Sequence, residues 1–370
     1  MIKIISVFGT RPEAIKIAPV ILELNKIPNK VKTIILVTGQ HRAMLDLPLQ
    51  TFGINPDYDL NIMKENQSLG ETLTNEFIGV ERILKKEKPD LVLVQGDTTT
   101  TLAASLTAYY TRIKLAHIEA GLRSFDKDNP YPEEVNRSLV DLMADFCFAP
   151  SIGSKKNLLR MGIEEKRIFV TGNTGIDALH FVLGKKFEIK NEILKKISLN
   201  EKIILLTTHR RESYLSEQMK NIFEAISKIS KEFPNIRIIY PVHPNPNVQS
   251  LAREILGKAS KVTLLDNLSY EDFVYLFKNC YFVMTDSGGI QEEAPSLNKP
   301  VLVIRNKTER PEIIEIGAAK LVGTNINNIF KAAATLLNNS SEYKKMINKK
   351  NPYGDGTAAK KIVRYLLDYL

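Results

Sequence analysis

Short apolar runs alternate with helix-like segments along nearly the whole chain. Between the runs, apolar residues recur at helical spacing, as in Leu73, Phe77, Val80 and Leu84, and again in Val135, Leu139 and Leu142. Short apolar strands that alternate with helices indicate parallel sheets covered on both faces, and therefore an α/β fold. The strand-like runs, in chain order, are Ile2–Phe8, Thr33–Val37, Leu91–Val94, Leu115–Ile118, Phe146–Ala149, Ile168–Val170, Ile203–Leu206, Ile236–Tyr240, Val262–Leu265, Phe282–Met284 and Val301–Ile304.

The alternation restarts near the middle of the chain. Lys3–Phe8 and Lys202–Leu206 each lead into a loop that contains Thr and Arg, in GTRPE and TTHRRE. This echo predicts two doubly wound, Rossmann-like domains, residues 1–172 and 173–353, that face a central cleft. The last segment, 354–370, is patterned as an amphipathic helix, and we expect it to cross back onto the first domain.

The composition is that of an ordinary globular protein. The 370 residues are 44% hydrophobic and 25% charged, which excludes a disordered chain. The first apolar run is too short for a signal peptide, and no run approaches the ~18 residues of a membrane span, so we expect a cytoplasmic protein without a membrane partner. Cys147 and Cys280 lie in apolar surroundings without Cys or His at metal spacing, which predicts buried thiols and no metal site.

The net charge of +9 is unevenly distributed. Residues 1–172 carry a net charge of +1, and residues 173–370 carry +8. A solvated, Lys-rich surface is the ordinary interpretation of this excess, and an anionic ligand held by the second half is the alternative. No nucleic-acid-binding module is recognisable, so no nucleic-acid partner is predicted.

A turn in the stretch TDSGGIQEEA is a candidate phosphate site. Gly288 and Gly289 allow the backbone to approach an anion, and the helix that begins after Ser287 supplies unpaired N–H groups. A Glu in this helix can accept hydrogen bonds from the hydroxyls of a ribose, and only one of Glu292 and Glu293 is expected to face a ligand. The alternative is an ordinary strand–turn–helix with Ser287 as its N-cap.

Acidic residues follow apolar runs in the first half of the chain. They are Asp97 in QGDTTT, Glu119 in HIEAGLR and Glu133 in NPYPEEVNR. Because the carboxyl ends of neighbouring parallel strands meet at one edge of a sheet, we expect these carboxylates to converge. Such a group suits general acid and base catalysis. An Asx turn at Asp97 and a helix-dipole role for Glu133 are the alternatives.

Basic residues occupy corresponding loops. Arg11 and Lys16 follow the first apolar run, His209 and Arg210 follow the seventh, and His243 follows the eighth. Side chains of this kind suit a diphosphate. No run is followed by the GxGxxG dinucleotide fingerprint or by a P-loop, so no cofactor is predicted.

Taken in order, these segments resemble the non-hydrolysing UDP-N-acetylglucosamine 2-epimerase family. The resemblance implies a two-domain fold of the GT-B type and interconversion of UDP-GlcNAc and UDP-ManNAc, without a metal. It further implies a homodimer and a role in polysaccharide biosynthesis. The matching stretches are GTRPEAIKIAP (9–19), TGQHRAML (38–45), GDTTT (96–100), HIEAGLRS (117–124), PEEVNR (132–137), VTGNTGIDAL (170–179), THRRES (208–213), VHPNP (242–246), TDSGGIQEEAPSL (285–297), KPVLVIRNKTERPE (299–312) and NPYGDG (351–356).

The resemblance also implies roles for individual residues. The acid/base carboxylates would be Asp97, Glu119 and Glu133, and His209 would support the departing diphosphate. Phe273 would pack on uracil, and the main chain near Leu268 would read its edge. The implied contacts to UDP or substrate are Arg11, Lys16, His209, Leu268, Phe273, Ser287, Gly288, Gly289, Glu293 and Arg310.

Some members of that family carry a second, regulatory UDP-GlcNAc site. In this sequence Ala43 stands where those members often have Gln, and Asn66 where they often have Arg, so activation by substrate is left open. The positions that match the regulatory site are Gln40, His41, Arg210 and His243.

Inversion at C2 of the sugar requires removal of a proton that no adjacent carbonyl acidifies. In one route, a base of the enzyme removes this proton while UDP leaves from C1, which would give a 2-acetamidoglucal. UDP then re-adds after protonation of C2 from the opposite face. The alternatives are a hydrolysing 2-epimerase that releases ManNAc and UDP, a GT-B glycosyltransferase, and a non-catalytic UDP-sugar sensor. The pattern does not distinguish the base from the acid.

Overall fold

The computed structural model describes residues 1–39, 42–62, 67–208, 217–266 and 268–370, without the side chains of residues 42–44. The chain folds into two compact units. Unit 1 comprises Met1–Gly184 and Pro352–Leu370, and unit 2 comprises Lys185–Asn351. Each unit is built around one parallel sheet, which confirms the predicted α/β class.

The sheet of unit 1 has the strand order β3-β2-β1-β4-β5-β6-β7 in the described residues. This is the doubly wound order, in which the chain moves outward from β1 in one direction and from β4 in the other. The elements are β1 (Ile2–Phe8), α1 (Arg11–Leu24), β2 (Val31–Val37), α2 (Arg42–Phe52), β3 (Tyr58–Asp59), α3 (Leu69–Glu87), β4 (Leu91–Gln95), α4 (Thr99–Tyr110), β5 (Lys114–Ile118), α5 (Glu133–Met143), β6 (Phe146–Ala149), α6 (Ile152–Arg160), β7 (Ile168–Val170) and α7 (Thr174–Gly184).

Unit 2 repeats this order as β10-β9-β8-β11-β12-β13 in the described residues. Its elements, followed by the C-terminal helix that returns to unit 1, are α8 (Glu192–Lys196), β8 (Lys202–Thr207), α9 (Glu217–Glu232), β9 (Ile236–Pro241), α10 (Pro246–Leu256), β10 (Val262–Leu265), α11 (Tyr270–Asn279), β11 (Phe282–Thr285), α12 (Gly288–Glu293), β12 (Val301–Val303), α13 (Pro311–Glu315), β13 (Ala319–Leu321), α14 (Ile326–Asn338), α15 (Ser340–Met346) and α16 (Ala358–Tyr369).

The central strands are apolar on both faces because helices cover both sides of each sheet. In unit 1, every residue of β4 is buried, and Ile4 to Phe8 of β1 are buried as well. In unit 2, helices α9 and α14 pack over β8, β9 and β11 in a cluster that includes Phe223, Tyr240 and Phe282. Burial of this apolar surface is the main driving force for folding of each unit.

The predicted strands are all present, with bounds that differ by a few residues at most. The structure adds two edge strands, β3 and β13, that the pattern does not predict. β3 has only two residues, and β13 presents two exposed residues, so neither gives an apolar run.

The C-terminal helix α16 packs on α1 and α7 in unit 1, as predicted. Asp177 of α7 accepts hydrogen bonds from the first N–H groups of α16, those of Ala358 (3.2 Å) and Ala359 (2.9 Å). A carboxylate at this position satisfies backbone donors that lack a partner within the helix. The compact units divide after Gly184, and the domain bounds 1–172 and 173–353 stay a prediction.

Helix α5 buries the face opposite to its apolar one. Val135, Leu139 and Leu142 are 42%, 43% and 52% exposed. The buried positions carry polar groups instead, chiefly Glu134, Asn136, Arg137 and Asp141. The apolar spacing therefore predicts the helix correctly and does not mark its buried face.

Both cysteines are free and buried. Burial raises the pKa of the Cys280 thiol to about 12 and raises that of Cys147 further, so neither forms a reactive thiolate near neutral pH. Among the described residues, no helix is both long enough and apolar enough to span a membrane.

Candidate active site

The carboxyl ends of β1, β4 and β5 form the crevice of unit 1. The order in which strands are added to the sheet reverses between β1 and β4, and doubly wound sheets bind ligands at such a switch point. Gly96 follows β4 and donates its N–H to the carbonyl of Ile118 at the end of β5 (3.1 Å). The loops that carry Asp97 and Glu119 are therefore adjacent, as the sequence predicts.

Glu119 forms a two-pronged ion pair with Lys16 of α1. The Lys16 ammonium lies 2.6 Å from Oε1 and 2.8 Å from Oε2, and both side chains are nearly buried. Gln95 donates to Oε2, and Asn173 donates to Oε1 at 3.5 Å. Several donors on one carboxylate fix its orientation.

The backbone of Glu119 is held in an unusual conformation. Its φ of 73° lies in the left-handed region, which residues with a side chain rarely adopt. The N–H groups of Glu119 and Ala120 both donate to the carbonyl of Phe148 on β6 (3.1 Å each), which stabilises the turn. Strain of this kind is commonly found at functional sites.

Asp97 is held by the buried face of α5. Arg137 donates to Asp97 Oδ2, and Asn136 donates to the Asp97 carbonyl at 3.0 Å. The Asp97 side chain is 29% exposed, whereas that of Arg137 is 9% exposed. Asp97 therefore combines access from solvent with a fixed cationic partner.

Glu133 is the first residue of α5 and is half-buried, whereas its neighbour Glu134 is buried. Glu134 accepts hydrogen bonds from the N–H groups of Ser124 (3.0 Å) and Phe125 (3.1 Å). Of these two adjacent acids, Glu134 is therefore the one that holds the backbone of the preceding loop. The helix that begins at Glu133 is the same helix that holds Asp97.

Two buried carboxylates, Glu13 and Glu76, lie beneath the loops after β1 and β4. Glu13 accepts hydrogen bonds from the N–H groups of Gly9 (2.9 Å) and Thr10 (2.7 Å) and from the hydroxyl of Thr101 (2.9 Å). Desolvation raises the pKa of Glu13, although these hydrogen bonds oppose the effect. Glu13 therefore occupies the N–H groups of Gly9 and Thr10.

The candidate phosphate turn of unit 2 lies against Arg310. A Cβ at Gly288 would be 2.9 Å from the Arg310 Cζ, so any side chain at this position would displace the guanidinium. The Arg310 Nε donates to Glu292 at 2.5 Å, and both side chains are buried. Glu293 is half-buried, so of the two adjacent acids it is the accessible one.

The remaining candidates in unit 2 lie near the carboxyl ends of β9 and β10. Leu268 is buried, and the half-buried ring of Phe273 packs 5.8 Å from that of Phe277. His243 accepts a hydrogen bond from the Asn245 N–H at Nδ1 (3.1 Å). Its other ring nitrogen is therefore the one that would carry the proton of the neutral ring.

Within the described part of the chain, no group of three or more His, Cys, Asp or Glu side chains could hold a metal ion.

A family model described as UDP-N-acetylglucosamine 2-epimerase matches residues 23–367, which is most of the chain. The chain belongs to this family. It is 49% identical over 366 residues to the UDP-N-acetylglucosamine 2-epimerase of Bacillus subtilis, covering 99% of this chain and 95% of that protein. It is 48% identical over 373 residues to the enzyme of that name from Neisseria meningitidis, covering 99% of each.

Solved structures of UDP-GlcNAc 2-epimerases have the same fold. The Neisseria meningitidis enzyme bound to UDP-GlcNAc superposes with a TM-score of 0.94 at 48% identity, over 99% of this chain and 100% of that one. The Methanocaldococcus jannaschii enzyme in complex with UDP-GlcNAc and UDP gives a TM-score of 0.84 at 39% identity, with the same coverage. The predicted family and fold are therefore confirmed.

Several positions that the family resemblance singles out lie outside the described residues. They are His209, which was assigned to the diphosphate, Gln40, His41 and Arg210 of the regulatory set, and Asn66. The side chain of Ala43 lies outside the described residues as well.

The structure shows side chains that contact the candidate carboxylates and that the sequence analysis does not predict. Gln95 and Asn173 contact Glu119, and Asn136 and Arg137 contact Asp97. All four lie inside the motif stretches or directly beside them. Their places in these stretches are the signal that the sequence offers for them. The contact of α5 with the loop after β4 joins residues far apart in sequence, and spacing does not reveal it.

Proposed function

We propose that this chain interconverts UDP-GlcNAc and UDP-ManNAc by inversion at C2 of the sugar. The observation that carries the proposal is the pair of ion-paired carboxylates, Asp97 and Glu119, on adjacent loops at the switch point of unit 1. Family membership supports the substrate, since relatives over nearly the full length are named UDP-N-acetylglucosamine 2-epimerases. A structure of such a relative is bound to UDP-GlcNAc.

The reaction proceeds by elimination and re-addition. A carboxylate takes the proton from C2, the electrons of that C–H bond form a double bond between C1 and C2, and the bond from C1 to the UDP oxygen breaks. The products of this step are 2-acetamidoglucal and UDP. In the second step a proton is delivered to the opposite face of C2 while UDP re-adds at C1. The cycle leaves no net redox change.

Lys16 and Arg137 fix the positions of the carboxylates that take part in this chemistry. Each cation contacts one carboxylate directly, Lys16 at Glu119 and Arg137 at Asp97. A carboxylate held in a fixed orientation is suited to general acid–base catalysis. We assign Asp97, Glu119 and Glu133 to the proton transfers without dividing the base and acid roles among them.

Binding of UDP is assigned to residues of unit 2, together with Arg11 of α1. Ser287, Gly288 and Gly289 would bind the diphosphate, and Glu293 would bind the ribose hydroxyls. Arg310 lies against Gly288 and is paired with Glu292, so it would add positive charge next to the phosphate turn. Phe273 would stack on uracil, and the main chain at Leu268 would contact its edge.

We propose in addition that the protein is a cytoplasmic homodimer. The exposed stripe Val135, Leu139 and Leu142 supports an interface, because an apolar helix face of this kind is commonly buried on association. The oligomeric state is measured directly by sedimentation velocity. A monomer at micromolar concentration would remove this part of the proposal.

The activity is tested by incubating the protein with UDP-GlcNAc alone and following the mixture by NMR. The expected result is a mixture of UDP-GlcNAc and UDP-ManNAc at equilibrium, with free UDP remaining at trace level. Accumulation of UDP and ManNAc would identify a hydrolysing enzyme instead. A need for an acceptor sugar before any turnover would identify a glycosyltransferase, and unchanged UDP-GlcNAc with measurable binding would identify a sensor.

A further inference from the structure

His117 lies behind the candidate carboxylates and is completely buried on β5. Its Nε2 is 2.7 Å from the carbonyl oxygen of Gly96, the residue before Asp97. Its Nδ1 is 2.6 Å from Asp141 Oδ1 on α5. The imidazole therefore connects the loop after β4 to helix α5.

Both ring nitrogens face atoms that only accept hydrogen bonds. A backbone carbonyl has no proton to donate, so Nε2 carries one. Asp141 is an ionised carboxylate, so Nδ1 carries one as well. A ring that donates from both nitrogens is an imidazolium cation.

The surroundings of Asp141 support its ionisation. Burial by itself would raise the pKa of Asp141, but the charges and hydrogen bonds of His117 and Arg123 together hold it below its usual range. Arg123 donates to Oδ2, and the Gly121 N–H donates to the same oxygen at 3.0 Å. All three side chains are buried, so one carboxylate lies between two cations.

This cluster contacts the backbone on both sides of the site. His117 binds the carbonyl of Gly96, and Asp141 binds the N–H of Gly121, two residues after Glu119. Gly96, Glu119 and Gly121 all have left-handed φ values, of 78°, 73° and 83°. Glycine adopts this conformation without strain, whereas Glu119 does not, so the contacts of the cluster on either side of Glu119 help to hold its turn.

We propose that His117, as a buried imidazolium held by Asp141, is a positioning residue that fixes the loops of Asp97 and Glu119 for proton transfer. The inference rests on the proposed epimerase function and deepens it. A buried ion cluster is not an efficient way to stabilise a fold, since a well-packed apolar core often does equally well. Its placement at the two loops indicates a role in geometry.

Two substitutions separate the bonds of the ring. In His117→Gln the amide nitrogen takes the place of Nε2 and can still donate to Gly96. In His117→Asn the amide nitrogen takes the place of Nδ1, which keeps the bond to Asp141 and loses the one to Gly96. Cys147→Ala is the matched control. Cys147 is buried on β6 beside His117 and contacts the cluster through the Asp141 carbonyl (3.7 Å), so its removal alters packing while both bonds of the His117 ring remain.

The test measures kcat and KM for UDP-GlcNAc, the Kd for UDP, and the folded fraction by circular dichroism. Because small displacements of catalytic groups are costly, we expect His117→Asn to lower kcat about 100-fold with an unchanged Kd for UDP. We expect His117→Gln to restore most of this loss and Cys147→Ala to keep the kcat of the wild type. Wild-type kcat in His117→Asn, or the same kcat loss in Cys147→Ala, overturns the positioning role.

A second measurement needs no variant at the site. Nitrogen-15 NMR of histidine-labelled wild-type protein resolves the ring protons of the five histidines. A buried ring with protons on both nitrogens at neutral pH is expected, and its absence overturns the imidazolium. The wild type tests the proposed function separately. If the wild type does not epimerise UDP-GlcNAc, the proposed function is refuted. If the wild type epimerises normally and His117→Asn is fully active, only the positioning role is refuted.

Discussion

Replacement of Glu76 by Gln should remove a large pH dependence of the stability of unit 1. Glu76 lies on α3 with its side chain buried, and the hydroxyl of Thr100 donates to its Oε1. Among the described residues, Oε2 has no hydrogen-bond partner. Desolvation, reinforced by the charge of Glu13, raises the pKa of Glu76 from the ordinary 4.5 to about 8.

The sign follows from this elevated pKa. The folded state holds the proton of Glu76 more tightly than the unfolded state does. The stabilising contribution of Glu76 to the free energy of unfolding is therefore fully present below pH 4.5 and is lost as the pH rises through about 8. Each pKa unit corresponds to about 1.4 kcal/mol, so the difference between the two pKa values of Glu76 corresponds to a change of at most about 5 kcal/mol in the free energy of unfolding. A Gln side chain does not titrate, so Glu76→Gln should lack this dependence, at a cost of about 1–3 kcal/mol at low pH for an imperfectly bonded amide.

The assay is hydrogen exchange of peptides from α3 and α4, measured at pH 5, 7 and 9 and corrected for intrinsic rates. It reports unit 1 alone, which avoids assuming that both units unfold together. Glu81→Gln is the matched control, since Glu81 forms a surface ion pair on the same helix with Lys85 (2.9 Å) that is worth about 0.5 kcal/mol. If wild type and Glu76→Gln lose protection equally between pH 5 and pH 9, the reasoning is refuted.

Three further variants test the ion pairs and the phosphate turn. Lys16→Met should lower kcat by about 100-fold or more because Glu119 loses its cation, and steady-state kinetics with UDP-GlcNAc checks this. Arg137→Met should lower kcat similarly through Asp97 while the Kd for UDP, measured by calorimetry, stays unchanged. Gly288→Ala should displace Arg310 and weaken UDP binding by about 1–3 kcal/mol in the same calorimetric assay, with little change in the exchange of unit 1 peptides.

The fold was predictable because its signals are local. Apolar runs such as Leu91–Val94 become the central strands of parallel sheets, which need no polar face, so their pattern is strong in the sequence. The edge strand Ala319–Leu321 is partly exposed and leaves no such pattern. Local spacing therefore predicts the centre of each sheet better than its edges.

The site was predictable as a set of strand-end residues and not as a set of contacts. The resemblance implies that Lys16 contacts UDP or substrate, and the structure shows in addition its ion pair with Glu119, more than a hundred residues away in sequence, which local spacing does not predict. Helix α5 shows the same limit, because Val135 and Leu139 mark an apolar face that is exposed. The buried face of α5 is polar because it binds the loops of the site, and only tertiary structure reveals that reversal.

The most direct test of the central claim is the reaction of UDP-GlcNAc in deuterium oxide, followed by proton NMR at C2. Elimination and re-addition breaks the C2–H bond and draws the new proton from a group in exchange with solvent. The account therefore predicts UDP-ManNAc that carries deuterium at C2, and deuterium entering the remaining UDP-GlcNAc over successive turnovers. UDP-ManNAc that retains the original C2 hydrogen would contradict it.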